Sequence, residues 1–160
     1  MPGPEESSTV NASLTPESGS LYVVATPLGN LADISKRAIS ILDNVSLIAG
    51  EDTRVSGKLL SKLGIENRTV SYHDNNERSM APKLAEELAQ GKSIALISDA
   101  GTPGLSDPGF RLTRECRKQG IPVVPVPGPC AATALLSVSG LPSDRFLFVG
   151  FLPPKSAARR

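Results

Sequence analysis

Short apolar runs alternate with helical patterns along most of this chain, and the alternation constrains its fold more than any other feature. The runs predict six strands, at Leu21–Ala25, Ser46–Ala49, Thr69–Tyr72, Ser93–Ser98, Pro122–Val126 and Phe146–Val149. They are nearly all apolar, as expected of strands that are covered on both sides. Strands that alternate with helices predict a parallel sheet with helices on both faces. The predicted fold class is therefore α/β, a parallel-sheet αβα sandwich.

Apolar residues at helical spacing occupy the gaps between these strands. They predict five helices, marked by Ile34, Ala38, Ile41, Leu42 and Val45, by Leu59, Leu60 and Leu63, by Leu84 and Leu88, by Phe110, Thr113, Arg114 and Arg117, and by the segment Ala131–Ser139. Gly91 and Gly120 are placed to end the third and fourth helices.

The chain of 160 residues is long enough for one domain with a substantial core. Residues 1–20 are rich in Ser, Pro, Glu and Thr without hydrophobic periodicity, which predicts a disordered extension before a domain over residues 21–150. The sequence contains neither a membrane-spanning apolar run nor a signal peptide. We therefore expect a soluble cytoplasmic protein whose two cysteines, Cys116 and Cys130, are reduced.

Charge and motifs restrict the possible functions. All 17 basic residues but only 13 of the 16 acidic ones follow residue 20, so the remainder of the chain carries a charge of +4. This mild excess permits an anionic partner without requiring one. The phosphate-binding loop Gly-x-x-x-x-Gly-Lys-Ser/Thr is absent, as is a Gly-x-Gly-x-x-Gly pattern after the first strand, which disfavours ordinary NTP hydrolysis and NAD chemistry. No residues have zinc-ligand spacing, so no metal is expected.

Three strand ends carry loops of unusual composition. The densest, Ser98–Gly109, contains three glycines and two prolines, and the others are Thr26–Asn30 and Pro127–Ala131. A parallel sheet places all three on the edge where such sheets bind ligands. Small residues at Gly128 and Ala131 would let a ligand lie against the backbone at a helix N-terminus. Alternatively, Gly and Pro in each loop only end strands and begin helices.

Polar residues follow two further strands. Glu51, Asp52 and Arg54 come directly after the second strand, where they could orient a substrate. The alternative is a helix N-cap, with acids at the positive end of the helix dipole. His73, the one histidine, follows the third strand and is a chemically sensible general base, or else an incidental loop residue. Lys155 is either an anion contact or a solvated lysine.

Seven stretches from Leu21 onward resemble one protein family. They are Thr26–Ile34, Glu51–Arg54, His73, Ser98–Gly109, Val126–Pro129, Ser139–Pro142 and Gly150–Lys155. In this order they resemble the N-terminal domain of the tetrapyrrole methylase superfamily, the class III methyltransferases that depend on S-adenosylmethionine. Tetrapyrrole-modifying members typically carry Gly-x-Gly-Pro-Gly in the first loop and Gly-Asp-Pro in the second. Thr26-Pro27-Leu28-Gly29 and Gly101-Thr102-Pro103 depart from both patterns, and with Glu51–Arg54 they resemble the ribosomal RNA branch.

The resemblance implies 2′-O-methylation of a cytidine ribose in the 16S rRNA of the small ribosomal subunit, with S-adenosylmethionine as cofactor. It suggests His73, Glu51 and Asp52 as catalytic candidates, and Arg54 and Lys155 on the substrate side. The cofactor-binding candidates are Pro27, Gly29, Asp99, Gly101, Thr102, Pro103, Asp107, Gly128 and Ala131. Two other functions remain open, a tetrapyrrole (precorrin or uroporphyrinogen) methyltransferase and a non-catalytic nucleotide- or RNA-binding α/β module.

Family members are about twice as long as the folded part of this chain and place the cofactor cleft between two domains. The resemblance therefore implies that residues 151–160 begin a linker to a missing C-terminal domain, and that the full-length protein is a homodimer. We expect the 160-residue chain to fold but to bind S-adenosylmethionine weakly or not at all.

Overall fold

The computed structural model describes residues 14–151 and contains in that range one sheet of five parallel strands. The strands are β1 (Leu21–Val24), β2 (Leu47–Gly50), β3 (Thr69–Ser71), β4 (Ile94–Ile97) and β5 (Val123–Val126). Their order across the sheet is β3-β2-β4-β1-β5. Five of the six predicted strands are thus confirmed. Every residue of β2 and β4 is buried, which explains their uninterrupted apolar character.

The described residues form five helices, four of which cover the two faces of the sheet. They are α1 (Lys36–Asn44), α2 (Thr53–Leu63), α3 (Glu77–Ala89), α4 (Phe110–Lys118) and α5 (Ala131–Val138), with a 3₁₀ turn at Leu31–Asp33. Buried residues of α1 and α2 share one cluster with Ile48 and Ala95. Those of α3 and α4 share the other cluster with Leu47 and Leu96. These two cores confirm the αβα sandwich, whereas α5 has no buried residue.

Local sequence determines where the helices begin and end. The Ser35 hydroxyl accepts a hydrogen bond from the N–H of Ala38 at 3.0 Å and caps α1. Gly91 and Gly120 follow the last turns of α3 and α4 with φ values of +93° and +70°, which L side chains rarely adopt. Both predicted helix ends are confirmed. The side of α4 that packs on the sheet is formed by Leu112 and Cys116, while Phe110 is exposed.

The predicted sixth strand is wrong. Residues 146–149 form no strand, and their side chains are exposed, with Leu147 84% accessible. The apolar pattern is that of a strand, but a strand also needs a hydrogen-bonded neighbour. Within residues 14–151, β5 lies at the edge of the sheet and pairs with β1 alone. An apolar run by itself therefore does not predict that a partner is available.

The N-terminal boundary of the ordered part also differs from the prediction. The N–H of Gly19 donates to the carbonyl of Gly91 at 3.1 Å, the hydroxyl of Ser18 donates to the same carbonyl at 2.6 Å, and Ser20 is buried. Backbone hydrogen bonds, which composition does not reveal, thus attach residues 18–20 to the domain. Residues 14–17 of the predicted extension are attached as well, since the carbonyl of Leu14 accepts from the Ser40 hydroxyl at 2.9 Å and the N–H of Glu17 donates to the Tyr22 hydroxyl at 2.7 Å. Residues 1–13 and the predicted linker beyond residue 151 lie outside the described residues. No helix in the described range is long and apolar enough to cross a membrane.

Candidate functional site

The parallel register brings the loops after β1, β4 and β5 to one edge of the sheet. Strand β1 lies between β4 and β5, with Leu21 beside both Ile94 and Val123. Beyond the strands, the N–H of Thr26 donates to the carbonyl of Gly101 at 2.8 Å, and the N–H of Gly101 donates back at 3.0 Å. The loops after β1 and β4 are therefore joined by a short antiparallel bridge, as their common edge predicted.

The loop after β5 contacts the other two loops closely. The Thr102 hydroxyl donates to the carbonyl of Pro129 at 3.0 Å. A Cβ built on Gly128 would lie 3.1 Å from the Cβ of Ala25, so only glycine allows this approach without displacement. Gly128 thus acts by packing the loop onto the end of β1.

These loops and α5 enclose a cleft of about 440 Å³, here called the main cleft. Four of the predicted cofactor residues line it, namely Gly101, Thr102, Asp107 and Ala131. Its volume is in the range of small-molecule sites, and its wall is largely apolar with a few polar groups, which is the usual character of such sites. Within residues 14–151, the main cleft therefore has the volume and lining to hold a small ligand.

A second cleft of about 300 Å³ lies between α2 and the loop after β1, and is called the α2 cleft. Three other predicted cofactor residues, Pro27, Gly29 and Asp99, line it. Ala100 lines both clefts, so they meet at the loop after β4. Pro103 is buried and lines neither. The structure therefore divides the predicted cofactor residues between two adjoining clefts.

Sequence reasoning missed the apolar wall of the main cleft. The additional lining residues include Leu28, Leu105, Leu135 and Phe148. Leu28 and Leu105 are exposed leucines within glycine- and proline-rich loops, a sequence signal that could have indicated a ligand-facing role. Leu135 and Phe148 look like ordinary core residues in the sequence, so no signal distinguished them.

Carboxylates cluster beside the clefts at the ends of β2 and β4. Partial burial raises the pKa of Glu51 above its ordinary value, and the negative charges of Asp99, Asp107 and Asp74 raise it further. Burial likewise raises the pKa of Asp107, again with contributions from Asp99 and Asp74. In the described part of the chain, no three His, Cys, Asp or Glu side chains are arranged to hold a metal ion. In this cluster of like charges, the pKa values of Glu51 and Asp107 thus lie above their ordinary values.

Asp52 has a clear structural role. It is the N-cap of α2, and its Oδ1 accepts the N–H of Arg54 at 2.8 Å. Its Oδ2 accepts from the Arg54 guanidinium at 2.7 Å, and these hydrogen bonds lower the pKa of Asp52 to about 2. The N–H of Asp52 donates to Asp99 Oδ1 at 3.1 Å, which ties the loops after β2 and β4 together. The helix-cap interpretation is thus confirmed for Asp52, whereas its catalytic role, and substrate contact by Arg54, stay predictions.

His73 follows β3 and therefore lies one strand further from the main cleft than Glu51, which follows β2. Its backbone N–H donates to Asn76 Oδ1 at 2.9 Å, which shapes the turn into α3. Its Nδ1 atom is buried and has no hydrogen-bond partner among the described residues. Strand β2 separates β3, which precedes His73, from β4 and its loop. Lys155 lies outside the described residues, so the structure says nothing of its predicted role.

Neither cysteine forms a disulfide. Cys116 is buried, and Cys130 is the N-cap residue of α5 and lines the main cleft. Hydrogen bonds from the backbone and hydroxyl of Thr133 lower the pKa of the Cys130 thiol. The expectation of free thiols is confirmed.

Known proteins share this sequence and fold. The chain matches the family model for Tetrapyrrole (Corrin/Porphyrin) Methylases over residues 20–160. It is 60% identical over 141 residues to the "Ribosomal RNA small subunit methyltransferase I" of Pasteurella multocida, covering 88% of this chain and 50% of that protein. The protein of the same name from Escherichia coli O157:H7 is 57% identical over 142 residues, covering 89% and 50%. The chain spans about half the length of the curated relatives it matches.

A solved structure has the same fold. The uroporphyrin-III-C-methyltransferase of Thermus thermophilus superposes with a TM-score of 0.56 at 23% identity, covering 78% of this chain and 53% of that one. At this identity the likeness concerns the fold alone. Together with the family match over residues 20–160 and the relatives of 60% and 57% identity, it shows that the chain belongs to the tetrapyrrole methylase family.

Proposed function

We propose that this chain provides the N-terminal half of an rRNA methyltransferase, which transfers a methyl group from S-adenosylmethionine to the ribose 2′-hydroxyl of a cytidine in 16S rRNA. The observation that carries the proposal is the main cleft, formed where three hydrogen-bonded loops meet at the carboxyl edge of the sheet. Relatives of 60% and 57% identity bear the name of a small-subunit rRNA methyltransferase, which supports RNA over a tetrapyrrole as substrate. Such a substrate would place the protein in the cytoplasm. The family resemblance further suggests that the longer protein is a homodimer.

The residues present fit this cofactor. S-adenosylmethionine, when bound, supplies an activated methyl group on a positively charged sulfur. The apolar wall of the main cleft, with Leu105 and Leu135, suits the uncharged parts of such a molecule. The carboxylate of Asp107 lines the same cleft and suits a cationic group. The small residues Gly101 and Ala131 line the same cleft and let a ligand approach the backbone closely. These residues would hold the cofactor.

Methylation of a hydroxyl also requires that its proton be removed. Glu51, which lines neither cleft, is the first candidate for this role, because burial and three neighbouring acids raise its pKa and Asp107 is assigned to the cofactor. A raised pKa makes a carboxylate a better proton acceptor near neutral pH. Glu51 directly follows β2, the neighbour of β4, and Asp52 beside it bonds to the loop after β4. His73 is the second candidate, since its Nδ1 atom has no hydrogen-bond partner in the described part of the chain.

The test is methyl transfer to small ribosomal subunits that lack the modification. We would join the chain to the C-terminal half of the Pasteurella multocida relative, and compare this protein with its Glu51→Gln and His73→Ala variants. Loss of a general base lowers the rate by about 10²- to 10⁴-fold. Full activity in one variant eliminates that residue as the base. RNA binding without methyl transfer by the joined protein would favour the non-catalytic RNA-binding module.

A further inference from the structure

The exposed side of α2 carries three basic residues at intervals of four. Arg54, Lys58 and Lys62 are all exposed, and α2 contains no acidic residue. Residues four apart lie on the same side of a helix, about 6 Å apart along its axis. The three side chains therefore form one row, here called the α2 basic stripe.

Two of these cations are uncompensated. Arg54 pairs with Asp52, whereas neither Lys58 nor Lys62 forms an ion pair with any residue in the range 14–151. Helix α4, on the opposite face of the sheet, carries four basic residues, of which two form ion pairs. There Arg111 pairs with Glu77, Lys118 pairs with Glu115, and Arg114 lies 5.4 Å from the ring of Phe110. Other exposed cations, such as Lys83 and Arg117, also lack an ion pair within residues 14–151. Lys58 and Lys62 differ from them in lining the α2 cleft, which adjoins the main cleft.

The α2 basic stripe borders the α2 cleft, whose lining also suits an RNA strand. Lys58 and Lys62 line the α2 cleft together with the partly exposed aliphatic side chains of Leu31, Val55 and Leu59. Asp99 is the one acidic residue among those that line it, and it accepts the N–H of Asp52. Aliphatic side chains between unpaired lysines suit a nucleic-acid strand, which alternates anionic phosphates with flat, weakly polar bases.

The α2 cleft also leads to the main cleft. Ala100 lines both clefts, so an RNA strand lying along α2 would continue over the loop after β4 to the proposed reaction centre. We propose that Lys58 and Lys62 bind the phosphate backbone of the RNA substrate and so direct the target nucleotide toward the main cleft. This inference rests on the proposed function, because it names the surface on which that RNA docks.

The experiment measures RNA affinity as a function of salt. The protein joined to the C-terminal half of its relative is titrated with a fluorescein-labelled single-stranded RNA from the 16S sequence, between about 50 and 200 mM salt. The Lys58→Glu/Lys62→Glu variant is compared with Lys83→Glu/Arg117→Glu, whose positions on α3 and α4 are also exposed and form no ion pair within residues 14–151. A Lys58→Gln/Lys62→Gln variant removes the two charges without adding acids.

Loss of two phosphate contacts flattens the slope of log K against log salt by about 1.4 in the Gln variant, and leaves the slope of the control unchanged. Methyl transfer by the Gln variant keeps its kcat but shows a higher KM for ribosomal subunits. An unchanged slope, or equal flattening in the control, overturns the inference. It is also overturned if the parent binds phosphatidylserine vesicles but no RNA. A parent protein that binds RNA through these lysines yet transfers no methyl group contradicts the proposed function alone.

Discussion

The hydroxyl of Thr102 donates a hydrogen bond to the carbonyl of Pro129 at 3.0 Å, and so joins the loops after β4 and β5 across the end of β1. Thr102 stands where tetrapyrrole-modifying relatives typically carry aspartate. A threonine can donate this bond with a neutral side chain, whereas an ionised carboxylate can only accept. In this chain Thr102 therefore links two of the loops that line the main cleft.

Replacement of Thr102 by valine should lower the free energy of unfolding by about 1 kcal/mol, the usual net value of one such hydrogen bond. Valine has nearly the same shape, so the loss isolates the hydroxyl. Urea unfolding of the 160-residue chain measures the effect. Thr69→Val, in edge strand β3, is the matched control because the Thr69 side chain lies far from the three loops. Equal stability of Thr102→Val and the parent would contradict the role assigned to this bond.

The sequence predicted the sheet well because parallel strands that are buried on both faces appear in it as uninterrupted apolar runs. Strands β2 and β4 are apolar throughout, since helices cover both of their faces. The convergence of the three loops then followed from the parallel arrangement alone. The segment Phe146–Val149 is also an apolar run but not a strand, because strand pairing requires a neighbouring strand as well as a suitable segment.

The division of the site into two clefts could not be predicted. Loop side chains point in directions that depend on backbone angles fixed by tertiary contacts, as at Ser106, whose φ of +61° is unusual for a residue other than glycine. Asp99 and Gly101 are two residues apart, yet they line different clefts. For Asp52, the sequence allowed both a cap and a catalytic acid, and only the distances to Arg54 favoured the cap.

The position of α2 depends on the absence of a side chain at Gly50. A Cβ built there would overlap the hydroxyl of Ser56, so Gly50→Ala must either turn that hydroxyl away from its hydrogen bond to the Asp52 carbonyl or shift α2. We expect a loss of about 1–3 kcal/mol, as for other overpacked cores. Gly57→Ala is the matched control, since nothing lies within 4 Å of its Cβ and α2 would gain helix propensity. Urea unfolding should thus show a lower free energy of unfolding for Gly50→Ala and a higher one for Gly57→Ala. A change in the same direction for both variants would contradict this packing.

The isolated chain should bind S-adenosylmethionine only weakly. One side of the main cleft is formed by residues that are themselves exposed, including Leu135 at 70% and Phe151 at 84%. A ligand there would keep much of its apolar surface in water and gain little from burial. Calorimetry should show clearly tighter binding once the chain is joined to the C-terminal half of its relative. Equal affinity of the two forms would refute this prediction.

Glu51→Gln should stabilise the fold at neutral pH even though it impairs methyl transfer. Burial and the charges of Asp99, Asp107 and Asp74 raise the pKa of Glu51 above 4.5 in the folded protein. Just above pH 4.5 the folded state therefore binds more protons at this site than the unfolded state does. Stability is consequently lost as the pH rises through the folded pKa. Glutamine carries no charge and therefore avoids that loss.

Urea midpoints measured at neutral pH and below pH 4.5 test this difference. The Glu51→Gln variant should exceed the parent at neutral pH, and the two should converge in acid, where the parent carboxyl is also neutral. Glu66→Gln serves as control because Glu66 is exposed and forms no ion pair among the described residues. A Glu51→Gln variant that is less stable than the parent at neutral pH would mean that the carboxylate is favourably held. That result would remove the physical reason for choosing Glu51 as the proton acceptor.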